Sequence, residues 1–293
     1  MAYAVPPKGR SVEFLWYLLD MGESSAISAV GLGFSYRRAV LTDLNVDLPE
    51  GTLLALVGEN GAGKTTALSL FAGERPPDAG RIRLFGKDPF RREGRGLAYL
   101  LKEWPTVVGY LLPEEAVGFY GRLYGHRWSR FEREAFLDRC GLSGKARTKV
   151  KSFSKGMVRR LELACLLAAD PPIWLLDEPQ TGLDPAGVQL LYELLLEAKQ
   201  RNRTIVWCTH LLQDLERLAD HVLALSSGLT VWQGSLDALR SETRSKLFIV
   251  SGDRTQDESS APIWPASLSG VEGPFLNPAE LSVKLFPKSR GHS

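Results

Sequence analysis

Cysteine is scarce in this 293-residue chain: Cys140, Cys165 and Cys208 stand far apart and form no C-x-x-C pair. That excludes a disulfide framework and a zinc knuckle, and it fits a reducing, cytosolic setting. A surplus of either charge is lacking too. Thirty-six lysines and arginines face 34 aspartates and glutamates, a formal net charge of +2, so no broad field draws the chain to nucleic acid or anionic lipid. Long apolar runs are missing as well. The stretch from Phe14 to Leu19, after Lys8 and Arg10, is far shorter than the roughly 18 residues of a membrane span. It is expected either to dock on the protein as a short helix or strand, or to touch a membrane subunit or the bilayer. What the chain does have is apolar content, 44%, ample for the core of one large domain or of one domain with a small appendage.

Residues 27–57 alternate apolar and polar side chains, with Pro49-Glu50-Gly51 as a turn before the run Leu53-Leu54-Ala55-Leu56-Val57. This run predicts a buried strand, followed by a glycine-rich loop and by helical spacing over residues 66–72. Further buried strands are predicted at 173–176 and 204–208, with a helix over 187–199 between them. Strands alternating with helices predict a mostly parallel sheet covered on both faces. Residues 103–170, helical in pattern and rich in aromatics such as Phe119, Tyr124 and Trp128, read as a helical unit inserted between sheet elements. Residues 222–234 read as a hairpin turning at Ser226-Ser227-Gly228, and 235–240 as a helix capped by Ser235. The core domain is thus expected over residues 27–240, behind an N-terminal extension of residues 1–26. Residues 241–293, rich in Ser, Pro and Gly, are expected to form either a small strand-rich appendage or a partly disordered tail.

The octapeptide Gly58-Glu59-Asn60-Gly61-Ala62-Gly63-Lys64-Thr65 fits G-x-x-x-x-G-K-[ST] without a mismatch. Glycines let successive backbone N–H groups close around phosphates, and the helix that follows adds its positive end. In this pattern Lys64 reaches the β- and γ-phosphates and the Thr65 hydroxyl is offered to magnesium. The apolar strand at 173–176 runs into Asp177-Glu178. Asp177 is placed to hold magnesium through water and Glu178 to polarise the attacking water, since successive strand residues point to opposite sides. His210 follows the strand ending at Cys208, where it is expected to hydrogen-bond the γ-phosphate or orient Glu178.

With Gly58 to Thr65, Asp177-Glu178-Pro179, Thr181-Gly182-Leu183-Asp184-Pro185 and His210 in this order, the chain resembles the ATP-binding subunit of ABC transporters over about residues 27–240. Phe153-Ser154-Lys155-Gly156-Met157 stands where that family's L-S-G-G-Q signature belongs, ahead of a helix expected from about Val158. The resemblance implies an α/β fold: a P-loop NTPase core with a mostly parallel sheet, an antiparallel β subdomain and a helical insertion. It implies ATP and Mg²⁺ as cofactors, with Lys64, Glu178 and His210 catalytic and Thr65 and Asp177 on the metal. Nucleotide contacts are implied for Tyr36, which matches the aromatic that stacks on adenine, and for Gly58, Glu59, Asn60, Gly61, Ala62, Gly63, Lys64, Thr65 and Thr66. Ser154 and Gly156 are implied to close over the ATP of a second copy or a paralogue, and Asp184 matches the loop that communicates between the two sites.

Two departures from the family pattern stand out. Lys155 and Met157 replace the first signature glycine and the closing glutamine, a form similar to the S-K-G-M of two-component ABC-2-type export systems. The glutamine expected after the strand Leu97-Ala98-Tyr99-Leu100 is replaced by Lys102 or Glu103, depending on register. Lysine has no acceptor for a cation, so Glu103 or water is expected to substitute, or coupling to be altered. The chain is therefore expected to power solute transport, in the export direction, through separate polytopic membrane subunits. It is expected to sit at the cytoplasmic face of the membrane and to meet its partner in a groove near Tyr99 to Tyr124. A non-transport ABC ATPase acting on ribosome or nucleic acid is the alternative, opposed by the single cassette and the near-neutral charge. A regulatory cassette with weak turnover is kept open by the altered glutamine position.

Overall fold

The alternating segment at residues 25–49 and the short, largely apolar strands that follow it sort into two sheets in the computed structural model, which describes residues 25–107, 109–209 and 217–241. The expectations for residues 1–24, for His210 and for residues 242–293 lie outside the described residues. Strands β1 (Ser25–Ser35) and β2 (Ala39–Pro49) pair antiparallel, and β4 (Ala79–Leu84) adds to the free side of β1 in the order β2-β1-β4. The second sheet has the order β5-β6-β7-β3-β8-β9, formed by β3 (Leu53–Gly58), β5 (Ala98–Leu101), β6 (Ile173–Asp177), β7 (Thr204–Cys208), β8 (His221–Ser226) and β9 (Leu229–Ser235). Every neighbouring pair in it is parallel except β8 with β9.

The apolar runs do not alternate with polar residues because both faces of the central strands are covered. Leu53, Ala55 and Val57 of β3, with Trp174 and Leu176 of β6, enter one core, shared with helices α2 (Pro113–Leu123), α3 (Arg130–Arg139), α4 (Lys155–Ala169) and α5 (Pro185–Gln200). Leu54 and Leu56, with Ile173 and Leu175, enter the other, shared with the antiparallel sheet and with helix α1 (Lys64–Phe71). Helices α2 to α4 all fall between β5 and β6, where the helical insertion was expected. The hairpin turns between Ser226 and Leu229, and residues 236–241 are helical, with the Ser235 hydroxyl accepting from the Ala238 N–H at 3.2 Å.

Helix α4 corrects one expectation. It begins at Lys155, three residues before Val158, because Ser154 is itself the cap: its backbone is extended and its hydroxyl accepts from the Met157 N–H at 3.2 Å. Leu56 is fully buried in the second core, whereas Leu196 on α5 is 47% exposed. Leu56→Ala is therefore expected to lower unfolding free energy by about 2–5 kcal/mol, and Leu196→Ala by less than about 0.5 kcal/mol. Chemical denaturation measures both, and near-equal losses would contradict the two-faced burial of β3.

Candidate nucleotide site

Parallel strands place their carboxyl ends on one edge, and the candidate residues gather there. Gly58 ends β3, Asp177 ends β6 and Cys208 ends β7, which lies between them in the sheet. The loop from Gly58 turns into α1 through Gly63, whose φ of 104° lies in the left-handed region and whose side a Cβ would fill at 2.9 Å from the Val40 carbonyl oxygen. Only glycine fits that conformation and that approach. Lys64 is buried, and its ammonium donates to the carbonyl oxygens of Gly58 at 2.7 Å and Glu59 at 3.2 Å. The lysine thus folds back under its own loop. Glu59, Asn60 and Gly61 lie exposed at the loop tip, while Ala62 packs into the core below. The Thr66 side chain is buried, so its backbone N–H, one of the unpaired donors of the first helical turn, is the group it has to offer.

The Thr65 hydroxyl donates to the Asp177 carboxylate at 2.7 Å. Asp177 is buried, and desolvation raises its carboxyl above the ordinary range. The Thr65 hydrogen bond opposes that rise, and the Glu103 charge adds to it. A hydroxyl and a carboxylate, both hard oxygen donors, beside a phosphate cradle make a donor set that fits Mg²⁺. Glu178 takes a direction different from Asp177, but not by strand alternation. It lies one residue past β6 with φ at 47°, and its N–H donates to the Cys208 carbonyl at 3.1 Å, so a left-handed turn separates the two acids.

Beside Glu178 stands Gln180, to which the sequence reading assigned nothing. Its side-chain N–H₂ donates to the Glu178 carboxylate at 3.1 Å and to the Thr209 hydroxyl at 3.1 Å, and its carbonyl accepts from the Trp207 indole at 3.3 Å. All three groups of the amide plane are engaged, which fixes the amide and with it the carboxylate. No spacing announces this role, since it depends on β7 lying next to β6. His210, one residue after Thr209, is outside the described residues.

The Lys102–Glu103 register is decided by geometry. The Lys102 ammonium pairs with Glu74 at 2.8 Å. Glu74 lies nine residues after Thr65, past the far end of α1, on the order of 13 Å from it by helical rise. Lys102 therefore points away from the phosphate end, which leaves Glu103 as the candidate for that position. Tyr36, on the turn between β1 and β2, is 58% exposed. The Phe34 ring meets it edge-on at 5.0 Å and the Arg75 guanidinium lies 5.2 Å from its ring centre, an arrangement that leaves an aromatic surface open for stacking.

Ser154, Gly156 and Asp184 assemble as a second cluster. A Cβ on Gly156 would sit 2.9 Å from the Gly182 carbonyl oxygen, so the signature helix lies directly against the segment that follows Glu178. Asp184 caps α5 by accepting from the Gly187 N–H at 3.0 Å, and the same oxygen pairs with Arg160 of α4 at 2.7 Å. These bonds hold its carboxyl below the usual range. Ser154, Lys155 and Asp184 are exposed.

Two outcomes follow for ATP turnover by the purified chain. Gln180→Ala is expected to lower kcat roughly ten- to a hundredfold with KM unchanged, and a raised KM instead would place Gln180 in binding. Lys102→Ala is expected to stay within about twofold of the parent while Glu103→Ala loses turnover, and the reverse pattern would contradict the register described above.

Comparison with known proteins matches residues 41–181 to the family model described as ABC transporter. The Nod factor export ATP-binding protein I of Sinorhizobium fredii is 32% identical over 264 residues, which cover 88% of this chain and 74% of that protein. The daunorubicin resistance ATP-binding protein DrrA3 of Streptomyces coeruleorubidus is 33% identical over 244 residues, 80% and 75% of the respective chains. Among solved structures, an ATP-binding subunit of an ABC transporter superposes with a TM-score of 0.71 at 28% identity, over 77% of this chain and 98% of that one. Cradle, carboxylates, signature helix and relatives agree: the chain belongs to the ATP-binding proteins of ABC transporters, and it is an ATPase subunit.

Proposed function

We propose that this subunit drives export through separate membrane subunits, by ATP-controlled closure of a head-to-tail dimer. The observation that carries the reading is the joining of cradle and strand tip: Thr65 bonded to Asp177, with Glu178 fixed by Gln180 alongside. Thr65 and Asp177 would hold Mg²⁺, which supplies charge neutralisation for the β- and γ-phosphates. Lys64 and the N–H groups of the loop neutralise and orient the transferred phosphate. Glu178 accepts the proton of the attacking water, and the bond from Gln180 keeps its carboxylate aimed. Tyr36 stacks on adenine.

The second cluster is exposed and carries the positive end of α4, a helix of 15 residues, so it suits the ATP held by another copy or a paralogue. Ser154 offers its hydroxyl and Gly156 a close backbone N–H. The names of the relatives, Nod factor export and daunorubicin resistance, favour export as the direction.

No helix among the described residues is long and apolar enough to cross a membrane, which supports delivery of the motion to a separate membrane subunit. The expected contact near Tyr99 to Tyr124 narrows to the exposed side chains of that region. Tyr99 is buried, its ring tilted against those of Tyr120 and Tyr124 at 5.6 and 5.8 Å, and the Tyr124 hydroxyl donates to the Ala98 carbonyl, so Tyr99 is core and the other two rings pack against it. The side chains that reach solvent in the same region are Trp104, Tyr110, Phe119 and Leu123, and they are the proposed contact with the membrane subunit at its cytoplasmic face.

Glu178→Gln is expected to bind ATP, to lose roughly 10²- to 10⁴-fold in hydrolysis and to accumulate an ATP-bound dimer. Brisk turnover by that variant would remove Glu178 as the base. Phe119→Glu combined with Leu123→Glu is expected to spare ATP hydrolysis by the isolated subunit and to abolish co-purification with a polytopic membrane protein; retained co-purification would move the contact elsewhere.

A further inference from the structure

The loop after β5, which carries Glu103, has its backbone held by side chains of α4. Arg159 and Glu162, one turn apart on α4, form an ion pair at 3.1 Å whose side chains are 3% and 1% exposed. The Arg159 guanidinium donates to the Lys102 carbonyl at 2.7 Å, to the Glu103 carbonyl, and at the limit of hydrogen bonding, 3.5 Å, to the Thr181 carbonyl. Glu162 accepts from the Thr106 N–H at 2.7 Å. One buried pair thereby ties three segments: the loop at 102–106, the signature helix, and the stretch between Glu178 and Asp184.

A pair this deeply buried is a poor source of stability, because desolvation of two charges offsets most of their attraction. Its geometry suits a different task. Besides the bond to Glu162, the donors of Arg159 end on backbone carbonyls of two loops, at Lys102 and Glu103 and at Thr181, while the helix bearing it is capped by Ser154 and has Gly156 in its first turn.

We propose that Arg159, with Glu162, is a positioning residue that makes the 102–106 loop and the Ser154–Gly156 helix start move as one body when ATP binds. The connection runs through main-chain carbonyls, so it does not depend on a glutamine side chain at position 102 or 103. The inference rests on the ATPase reading and adds to it the route by which the phosphate end and the signature end are held in register.

The test is hydrogen–deuterium exchange on the full-length chain, with and without Mg²⁺ and ATP, in a Glu178→Gln background that hydrolyses little. A second protein carries Arg159→Met and Glu162→Leu as well, replacing the pair by apolar side chains that leave no buried charge unpartnered and keep the fold measurable by its Tm. In the Glu178→Gln protein, ATP is expected to slow exchange about tenfold at 102–106 and at 153–157 together. In the apolar-pair protein, ATP affinity measured with a fluorescent ATP analogue is expected to stay within about twofold, and slowing is expected only around 58–66. Equal slowing at 153–157 in both proteins, or none there in the Glu178→Gln protein, overturns the clamp. Failure of the Glu178→Gln protein to bind ATP at all would instead overturn the ATPase reading on which it rests.

Discussion

The hydrogen bond from the Thr65 hydroxyl to the Asp177 carboxylate joins residues 112 positions apart, and the site exists only because those two meet. Neither end has freedom to search. Thr65 is set by the sharp turn of the cradle into α1, and Asp177 is the last residue of a strand buried on both faces. The cost of burying the carboxylate shows in its raised affinity for a proton. A divalent cation, for which Thr65 and Asp177 are the candidate ligands, would offset that cost more effectively than a hydroxyl does.

From that bond outward, the polar groups of the site fall into layers with different duties. Lys64, Thr65 and Asp177 sit against the cradle, while Gln180 and Arg159 hold side chains and carbonyls in place without any need to touch ATP. The stretch from Glu178 to Asp184 is where the layers cross. Within seven residues it presents the candidate base, accepts from Arg159 through Thr181, abuts the signature helix through Gly182 and caps α5 through Asp184. A displacement at one of these contacts therefore reaches the others through covalent chain, a short mechanical path from the candidate base to the cap of α5.

Local chemistry made the cradle, the strand ends and the hairpin legible from sequence, because glycine, apolar runs and capping serines act over a few residues. Tertiary arrangement hid the rest. Nothing in the order Glu178-Pro179-Gln180 says that the amide turns back to the carboxylate, since its other anchors, Thr209 and Trp207, come from a neighbouring strand. The Lys102 or Glu103 ambiguity had the same origin: its answer lay in Glu74, a residue that sequence patterns tie to nothing. Which side chains between Tyr99 and Tyr124 reach solvent was hidden in the same way, because an aromatic at a strand start reads alike whether it faces a groove or a core.

The substituted glutamine position then takes on a physical meaning. A carboxylate in place of a neutral amide adds negative charge, and of the two nearby cations only Arg159 is placed beside it, without entering the cradle. Lys102 neutralises Glu74 beyond the far end of α1, so it brings no charge to the phosphates. Arg159, buried and bonded to the Glu103 carbonyl, sets its positive charge beside Glu103 and near Asp177. The loop that departs from the family pattern in its side chain is thus held through its backbone, by a guanidinium on the signature helix that is itself paired with Glu162.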